Sequence, residues 1–211
     1  MTPVLAVDEL AVRRGGRIVI DDITLAVESE EIVGVVGVNG CGKSTLLACI
    51  AGVLPPRAGR VTIEGSSVWG RRRDRIASRR ALGYVPELAD PPGFLLATEL
   101  WSLCAAARDT SAPSQALIEA LGLDELRDVA LERMSLGQRR RACLAAALLG
   151  PPKLLVLDEP DNGLDAKRLD TLVVLLKQHA DGGGACVLAS HDASLLEQLG
   201  ARVITMAEPA T

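Results

Sequence analysis

An α/β fold is predicted for this 211-residue chain: a mostly parallel sheet, an N-terminal antiparallel β-subdomain and a helical subdomain inserted between them and the C-terminal part. Three observations predict it. The first third alternates in strand fashion around a Gly15–Gly16 turn. From residue 31 onward, apolar strand-like runs alternate with segments of helical spacing. Between them, Thr98 to Arg133 keeps a helical apolar spacing. The length suits one sizeable domain, residues 1–211, with residues 88–150 as the helical subdomain within it.

Leu5 to Val12 and Ile18 to Val27 (IVIDDITLAV) read as an antiparallel pair joined at Gly15 and Gly16. Glu31 to Val38 (EIVGVVGV) is a continuous Val-rich run, the pattern of a strand buried on both faces, and a glycine-rich loop follows at once. The helix Lys43 to Ala51 comes next and is stopped by Gly52, Pro55 and Pro56. Gly59 to Gly65 (GRVTIEG) returns as a short strand, and the arginine-rich Arg71 to Arg80 leads into a buried strand, Ala81 to Val85. Pro86, Pro91, Pro92 and Gly93 break the pattern before the helical stretch (LWSLCAAA, ALIEALGL). The rest alternates: helix Gln138 to Leu149, strand Lys153 to Leu157, helix Asp165 to His179, strand Ala185 to Ala189, helix Ala193 to Leu199 and strand Ala201 to Met206. Strands alternating with helices imply a parallel sheet.

A net charge of -4 argues against a general electrostatic footprint for nucleic acid. The five cysteines, Cys41, Cys49, Cys104, Cys143 and Cys186, form no CxxC pair, so neither a disulfide framework nor a zinc site is expected, and a reducing cytosol is the simpler home. The N-terminus MTPVLAVDEL lacks the basic-then-apolar run of a signal peptide, and no apolar stretch reaches the roughly 18 residues of a membrane span.

The glycine-rich loop carries the chemistry. GVNGCGKST meets the pattern G-x-x-x-x-G-K-[ST] at Gly37, Gly42, Lys43 and Ser44, with Gly40 as a further turning point. Gly37, Val38, Asn39, Gly40, Cys41 and Gly42 offer backbone N–H groups to phosphate oxygens, and the helix behind them adds its positive end. Lys43 neutralises the β and γ phosphates, Ser44 supplies a hydroxyl to Mg²⁺, and Thr45 completes the nucleotide-contacting run. Strand, loop and helix together are the core of a P-loop nucleotide-hydrolysing fold, which binds ATP. Such an enzyme also needs carboxylates beside the phosphates. LLVLDE (Leu154 to Glu159) places Asp158 and Glu159 at the C-terminal end of a strand, where open parallel sheets bind ligands. Asp158 is expected to hold the metal and Glu159 to polarise the attacking water.

Five motifs in order make the whole chain resemble the ATP-binding cassette (ABC) proteins: GVNGCGKST, GYVPE (Gly83 to Glu87) at the family's Q-loop position, MSLGQ (Met134 to Gln138) as its signature, LLVLDEP, and ASHD (Ala189 to Asp192). DNGLD (Asp161 to Asp165) matches the loop that contacts the partner subunit. Read alone, SLGQ is an ordinary helix N-cap. The resemblance implies instead that Ser135, Leu136, Gly137 and Gln138 meet the γ-phosphate of ATP held by a second cassette subunit, most simply an identical chain. It implies that His191 hydrogen-bonds the γ-phosphate, making Lys43, Glu159 and His191 the catalytic set, whereas His179 reads as structural. It further implies a subunit lying on the cytoplasmic face of a membrane and docked to separate permease subunits. The helical insertion and the Glu87 loop would form the docking groove, with the stripe Leu96, Leu100, Leu103 serving that groove, the helix core, or both.

Two positions depart from the family pattern. Glu87 stands where relatives carry a glutamine that reaches the metal. A carboxylate also binds Mg²⁺, yet adds negative charge beside the phosphates unless it is protonated or points away. Glu87 and MSLGQ together resemble cassettes of drug and antibiotic export. Arg14 stands where relatives place an aromatic ring against adenine; its guanidinium either stacks on the base or leaves it unstacked. The arginines of WGRRRDRIASRR read as a solvated helix face. The leading function is therefore ATP hydrolysis driving transport, with export favoured. The alternative is a soluble cassette acting on nucleic acid or in translation. Against it, the stretch from Ser44 to Ser135 is too short for a coiled-coil insertion, and the chain carries one cassette rather than two.

Overall fold

Backbone pairing divides the strands into two sheets. The computed structural model describes residues 2–207. β1 (Leu5–Arg14) and β2 (Arg17–Val27) form a hairpin whose two turn residues, Gly15 and Gly16, take φ of 58° and 82°, as a two-residue turn matching strand twist requires. The strands run further toward the turn than side-chain alternation indicates, because Arg13 pairs with Ile18 and Arg14 with Arg17 through the backbone alone. β3 (Ile32–Val36) leaves for the second sheet, and α1 (Lys43–Ile50) follows the glycine-rich loop. β4 (Ala58–Ile63) returns to pair antiparallel with β1, and β5 (Ser66–Ser67), two residues with no hydrophobic signal, adds the edge, giving the order β2-β1-β4-β5.

α2 (Arg72–Arg80) precedes β6 (Leu82–Val85). The stretch expected to be helical throughout divides into α3 (Ala97–Arg108), α4 (Gln115–Ala120) and two single 3₁₀ turns, Asp124–Leu126 and Leu131–Arg133. The division has a local cause: Asp109 turns left-handed at φ 59° and ends α3, and Ser114 caps a new helix by accepting the Leu117 N–H. Then follow α5 (Leu136–Ala147), β7 (Leu154–Asp158), α6 (Ala166–Asp181), β8 (Ala185–Ala189), α7 (Ala193–Leu199) and β9 (Arg202–Thr205). Strands β6-β7-β8-β3-β9 pair in parallel in that order. Their C-terminal ends therefore share one edge, and the loops leaving β3, β6, β7 and β8 meet there.

The parallel sheet is buried on both faces, which explains its uninterrupted apolar runs. On β7, Leu154 and Val156 pack toward α1 and the antiparallel sheet, while Leu155 and Leu157 pack toward α3, α5, α6 and α7. β3 and β8 alternate the same way, with Val33, Val35 and Val187 on the first face and Ile32, Cys186 and Leu188 on the second. The helical stretch is tied to α5 by polar contacts: Trp101 Nε1 donates to Ala142 O at 2.9 Å and Arg108 Nη1 to Ala147 O at 2.8 Å. β6 approaches α5 so closely that a Cβ on Gly83 would lie 2.2 Å from Ala147 O, so only glycine fits there. All five cysteines are unbridged. Burial pushes Cys49 and Cys186 up to about 12, which makes them packing residues rather than reactive thiols. His179 is buried, with Nε2 3.1 Å from Ala185 O and its ring against the Gly184 backbone, a structural placement. Among the described residues, no helix is long and apolar enough to cross a membrane.

Candidate nucleotide site

Four loops build the site at the shared strand edge. The first leaves β3. Gly42, at φ 106°, stands at the N-cap of α1 without any side-chain cap, so the first N–H groups of the helix keep no partner from the chain's own side chains. A Cβ there would meet Val19 Cγ1 at 3.1 Å and Val19 O at 3.2 Å, so both the backbone angle and the space require glycine. Lys43 is buried, and its Nζ donates to Gly37 O at 2.9 Å, with Val38 O at 3.5 Å. The ammonium is thus held by carbonyls of its own loop. Val38, Asn39 and Gly40 are exposed along the rim, whereas Cys41 and Thr45 are buried beneath it.

The second loop leaves β7. Asp158 is the last residue of the strand and is 2% exposed, while Glu159, just beyond it, is 6% exposed. Burial pushes the Asp158 carboxyl above its ordinary range and the Glu87 carboxylate adds to that shift; the Ser44 hydroxyl, the Glu87 backbone N–H and Lys43 pull it back. One oxygen, Oδ1, is buried without a hydrogen-bond partner. A partnerless buried carboxylate oxygen beside the Ser44 hydroxyl is a hard-oxygen pair suited to Mg²⁺, which takes one or two protein oxygens and fills its shell with phosphate and water. Among the described residues no cluster of three or more His, Cys, Asp or Glu side chains could hold a metal without such help.

Glu159 has left-handed backbone, φ 48°, and its N–H donates to Ala189 O at 2.9 Å. His191, on the loop leaving β8, places Nε2 3.2 Å from Glu159 Oε1, and the imidazole is about half exposed. Burial raises the Glu159 carboxyl above its ordinary value, His191 lowers it, Asp161 and Asp158 raise it and Lys43 lowers it. In the role of base expected of it, Glu159 would work in its ionised form, so turnover should decline as pH falls through this raised value. The acid limb of the pH–rate profile is then expected above the ordinary glutamate value of 4.5. Asp161→Asn removes one of the raising charges and should move that limb to lower pH; an unmoved limb would separate Glu159 from the titration.

The loop leaving β6 brings Glu87. Its side chain is exposed yet close enough to raise Asp158, so the metal-side position expected of it is geometrically open. Arg14 stands exposed at the tip of the β1–β2 hairpin, whose Val19 touches Gly42.

The signature segment opens α5. Ser135 Oγ accepts the Gln138 N–H at 3.2 Å and Gln138 Oε1 accepts the Ser135 N–H at 2.8 Å. This reciprocal cap starts the helix at Leu136, two residues before the start read from sequence, because capping residues begin a helix without being apolar. The Ser135 hydroxyl keeps its proton for another acceptor. Leu136 is 57% exposed, and Gly137 packs against Gly163 of the DNGLD loop.

Arg140 escaped sequence reading. It is one of three consecutive arginines in GQRRR, and only its burial, 4% exposed, separates it from a solvated face. The arginines of α2 are exposed. Beside β6 lies a groove of about 410 Å³ whose lining includes Tyr84, Leu88, Leu100, Cys104 and Ala107; of the stripe Leu96, Leu100, Leu103 only Leu100 lines it.

Comparison with known proteins agrees with this geometry. Residues 20–162 match the family model described as ABC transporter. The chain is 37% identical over 203 residues to the zinc import ATP-binding protein ZnuC of Cereibacter sphaeroides, covering 96% of this chain and 78% of that protein. It is 35% identical over 199 residues to the cytochrome c biogenesis ATP-binding export protein CcmA of Sphingopyxis alaskensis, covering 94% and 95%. A dimeric ATP-binding cassette solved in a post-hydrolysis state with ADP and Pi has the same fold, with a TM-score of 0.84 at 23% identity over 98% of this chain and 97% of that one. One relative is named for import and the other for export.

Proposed function

The chain belongs to the ABC transporter family as an ATP-binding, ATP-hydrolysing subunit, and from that premise we propose that it carries half of a composite ATP site. The observation that carries this reading is the meeting of four loops at one strand edge: an uncapped helix N-terminus, a parked lysine, a partnerless buried carboxylate oxygen and a glutamate–histidine pair. The N–H groups of Gly37 to Thr45 take the triphosphate, and Lys43 exchanges Gly37 O for phosphate oxygens. Ser44 and Asp158 would hold Mg²⁺, with Glu87 as a further candidate oxygen ligand, and the ion would neutralise phosphate charge. Glu159 accepts a proton as the water oxygen bonds to the γ-phosphorus and the bond to the β–γ bridging oxygen breaks, leaving ADP and phosphate. His191 keeps the glutamate in line and reaches the γ-phosphate.

Ser135 to Gln138 face solvent in the single chain and complete the site of a second copy. ATP then joins two chains, so specific activity rises with protein concentration, and a rate per chain independent of concentration would remove the shared site. The groove beside β6 receives a membrane-spanning subunit, which places the chain on the cytoplasmic face of a membrane, with residues 88–150 as the arm that docks. Glu87 and the MSLGQ signature favour export, as in drug and antibiotic exporters. Isolation of the intact complex from detergent extract should recover a multi-span membrane protein, and repeated recovery of the cassette alone would overturn the docking reading.

Arg14 is read as a weak substitute for an aromatic ring against adenine. Arg14→Tyr is expected to tighten ATP binding several-fold, since aromatic–base stacking contributes about 1–3 kcal/mol per base. Titration with a fluorescent ATP measures it, and an unchanged affinity would take Arg14 out of base recognition.

A further inference from the structure

Within α5, the buried side chain of Arg140 donates to main-chain carbonyls and, among the described residues, forms no ion pair. Arg140 Nη1 donates to Glu159 O at 2.8 Å and to Asn162 O at 2.7 Å, and its Nη2 donates to Glu87 O. These carbonyls belong to two loops at the nucleotide edge: Glu87 O to the loop leaving β6, and Glu159 O and Asn162 O to the loop leaving β7, which contains DNGLD. A buried guanidinium is ordinarily matched by an anion; here carbonyl dipoles replace it, and Nε remains buried without a partner. An apolar side chain of the same volume would often serve stability as well. What the arginine supplies instead is a rigid fork of donors, able to hold several acceptors in fixed relation.

The carbonyl on Glu159 is the one with chemical consequence. A glutamate at φ 48° occupies a region that side chains disfavour, and it relaxes to ordinary backbone unless held. Relaxation would swing the carboxylate away from His191. Three bonds oppose it: Glu159 N–H to Ala189 O at 2.9 Å, Asn162 N–H to Glu159 O at 3.2 Å, and the Arg140 bond to that same oxygen. Arg140 also holds Asn162 O, so it secures the second bond as well as supplying the third.

We propose that Arg140 is the positioning residue for Glu159, acting through the main chain and tying that carboxylate to α5. It stands five positions beyond Ser135, on the helix whose first turn faces the other subunit's ATP in the function proposed above. A shift of α5 on engaging that nucleotide therefore reaches this chain's own Glu159 without passing through the phosphate loop. The inference rests on Glu159 acting as the base.

The test compares Arg140→Lys, Arg140→Met and Glu159→Gln in the full chain, with ATP and Mg²⁺. Lysine keeps the charge but offers one nitrogen where the fork offers two. In both Arg140 variants, kcat per folded chain is expected to fall about tenfold or more, the scale on which small misplacements of catalytic groups act. KM and fluorescent-ATP affinity are expected to stay within about twofold, because the phosphate loop is untouched. Wild-type kcat in Arg140→Lys, with Glu159→Gln inactive, overturns the proposal alone. Wild-type kcat in Glu159→Gln overturns the reading beneath it as well. A loss of activity that thermal unfolding accounts for entirely by the folded fraction reduces Arg140 to a structural residue and also overturns it.

Discussion

Glu159→Gln is expected to lower ATP turnover by roughly 100-fold or more, the contribution typical of a positioned general base, while leaving ATP affinity nearly unchanged. The glutamine keeps the shape of the side chain and its contact with His191, and removes only the ability to accept a proton. The same substitution should raise thermal stability. Burial raises the folded-state pKa of both Asp158 and Glu159, so their favourable contribution to folding is fully present below the ordinary carboxylate range and is lost as pH rises through the raised values. At neutral pH the folded protein therefore holds an ionised carboxylate that the unfolded chain ionises more easily, and glutamine removes that disadvantage. Little is lost at the His191 contact, because the imidazole is about half exposed and even charged pairs at such sites contribute about 0–1 kcal/mol. For a chain of this size each kcal/mol gained moves Tm by about 2–4 °C. Calorimetry and a steady-state assay on one preparation measure both effects. A wild-type rate, or a lowered Tm at full nucleotide affinity, would contradict the assignment. Gel filtration with ATP adds a third reading, since a chain that binds without hydrolysing should accumulate as dimer.

Lys43→Met should act on binding itself. The ammonium makes charge-assisted hydrogen bonds to phosphate oxygens, each contributing about 1.5–3 kcal/mol, but it already donates to Gly37 O without nucleotide. ATP binding is thus an exchange of acceptors, and the net loss is smaller than the sum of new bonds. About 3 kcal/mol remains reasonable, which is roughly a 100-fold weaker Kd. Methionine preserves the stem's packing beneath the loop, and the released carbonyls are only part-buried, so the fold should persist. Isothermal titration measures the affinity directly; a Kd within about threefold of wild type would mean that the backbone N–H groups hold the phosphates by themselves.

The contrast between these residues and Arg140 explains what a sequence can disclose. Gly37 to Thr45 are legible as the proposed phosphate site because a strand, a turn and a helix start are contiguous there. Asp158 and Glu159 are legible for a related reason: two acids closing an apolar run mark a strand's C-terminal end. The two-residue β5 carries no apolar period and was unreadable. The start of α5 was misplaced by two residues because the Ser135–Gln138 cap works through polar atoms that a hydrophobic pattern ignores. Arg140 was invisible because the position proposed for it depends on carbonyls 19, 22 and 53 residues away, and nothing in GQRRR distinguishes a buried arginine from its half-buried neighbours. The groove beside β6 likewise exists only once β6, α3 and α5 are packed.

The parallel sheet is shared between two separate cores, with Leu154 and Val156 on one side and Leu155 and Leu157 on the other. Such a partition behaves like a spine between two bodies that loosen independently. Opening of the α3 and α4 layer would leave the opposite layer, with α1 and the phosphate loop, closed over its own half of the sheet. Native-state hydrogen exchange should accordingly resolve at least two protection classes, with β7 and β8 slowest because both bodies must open before their amides meet water.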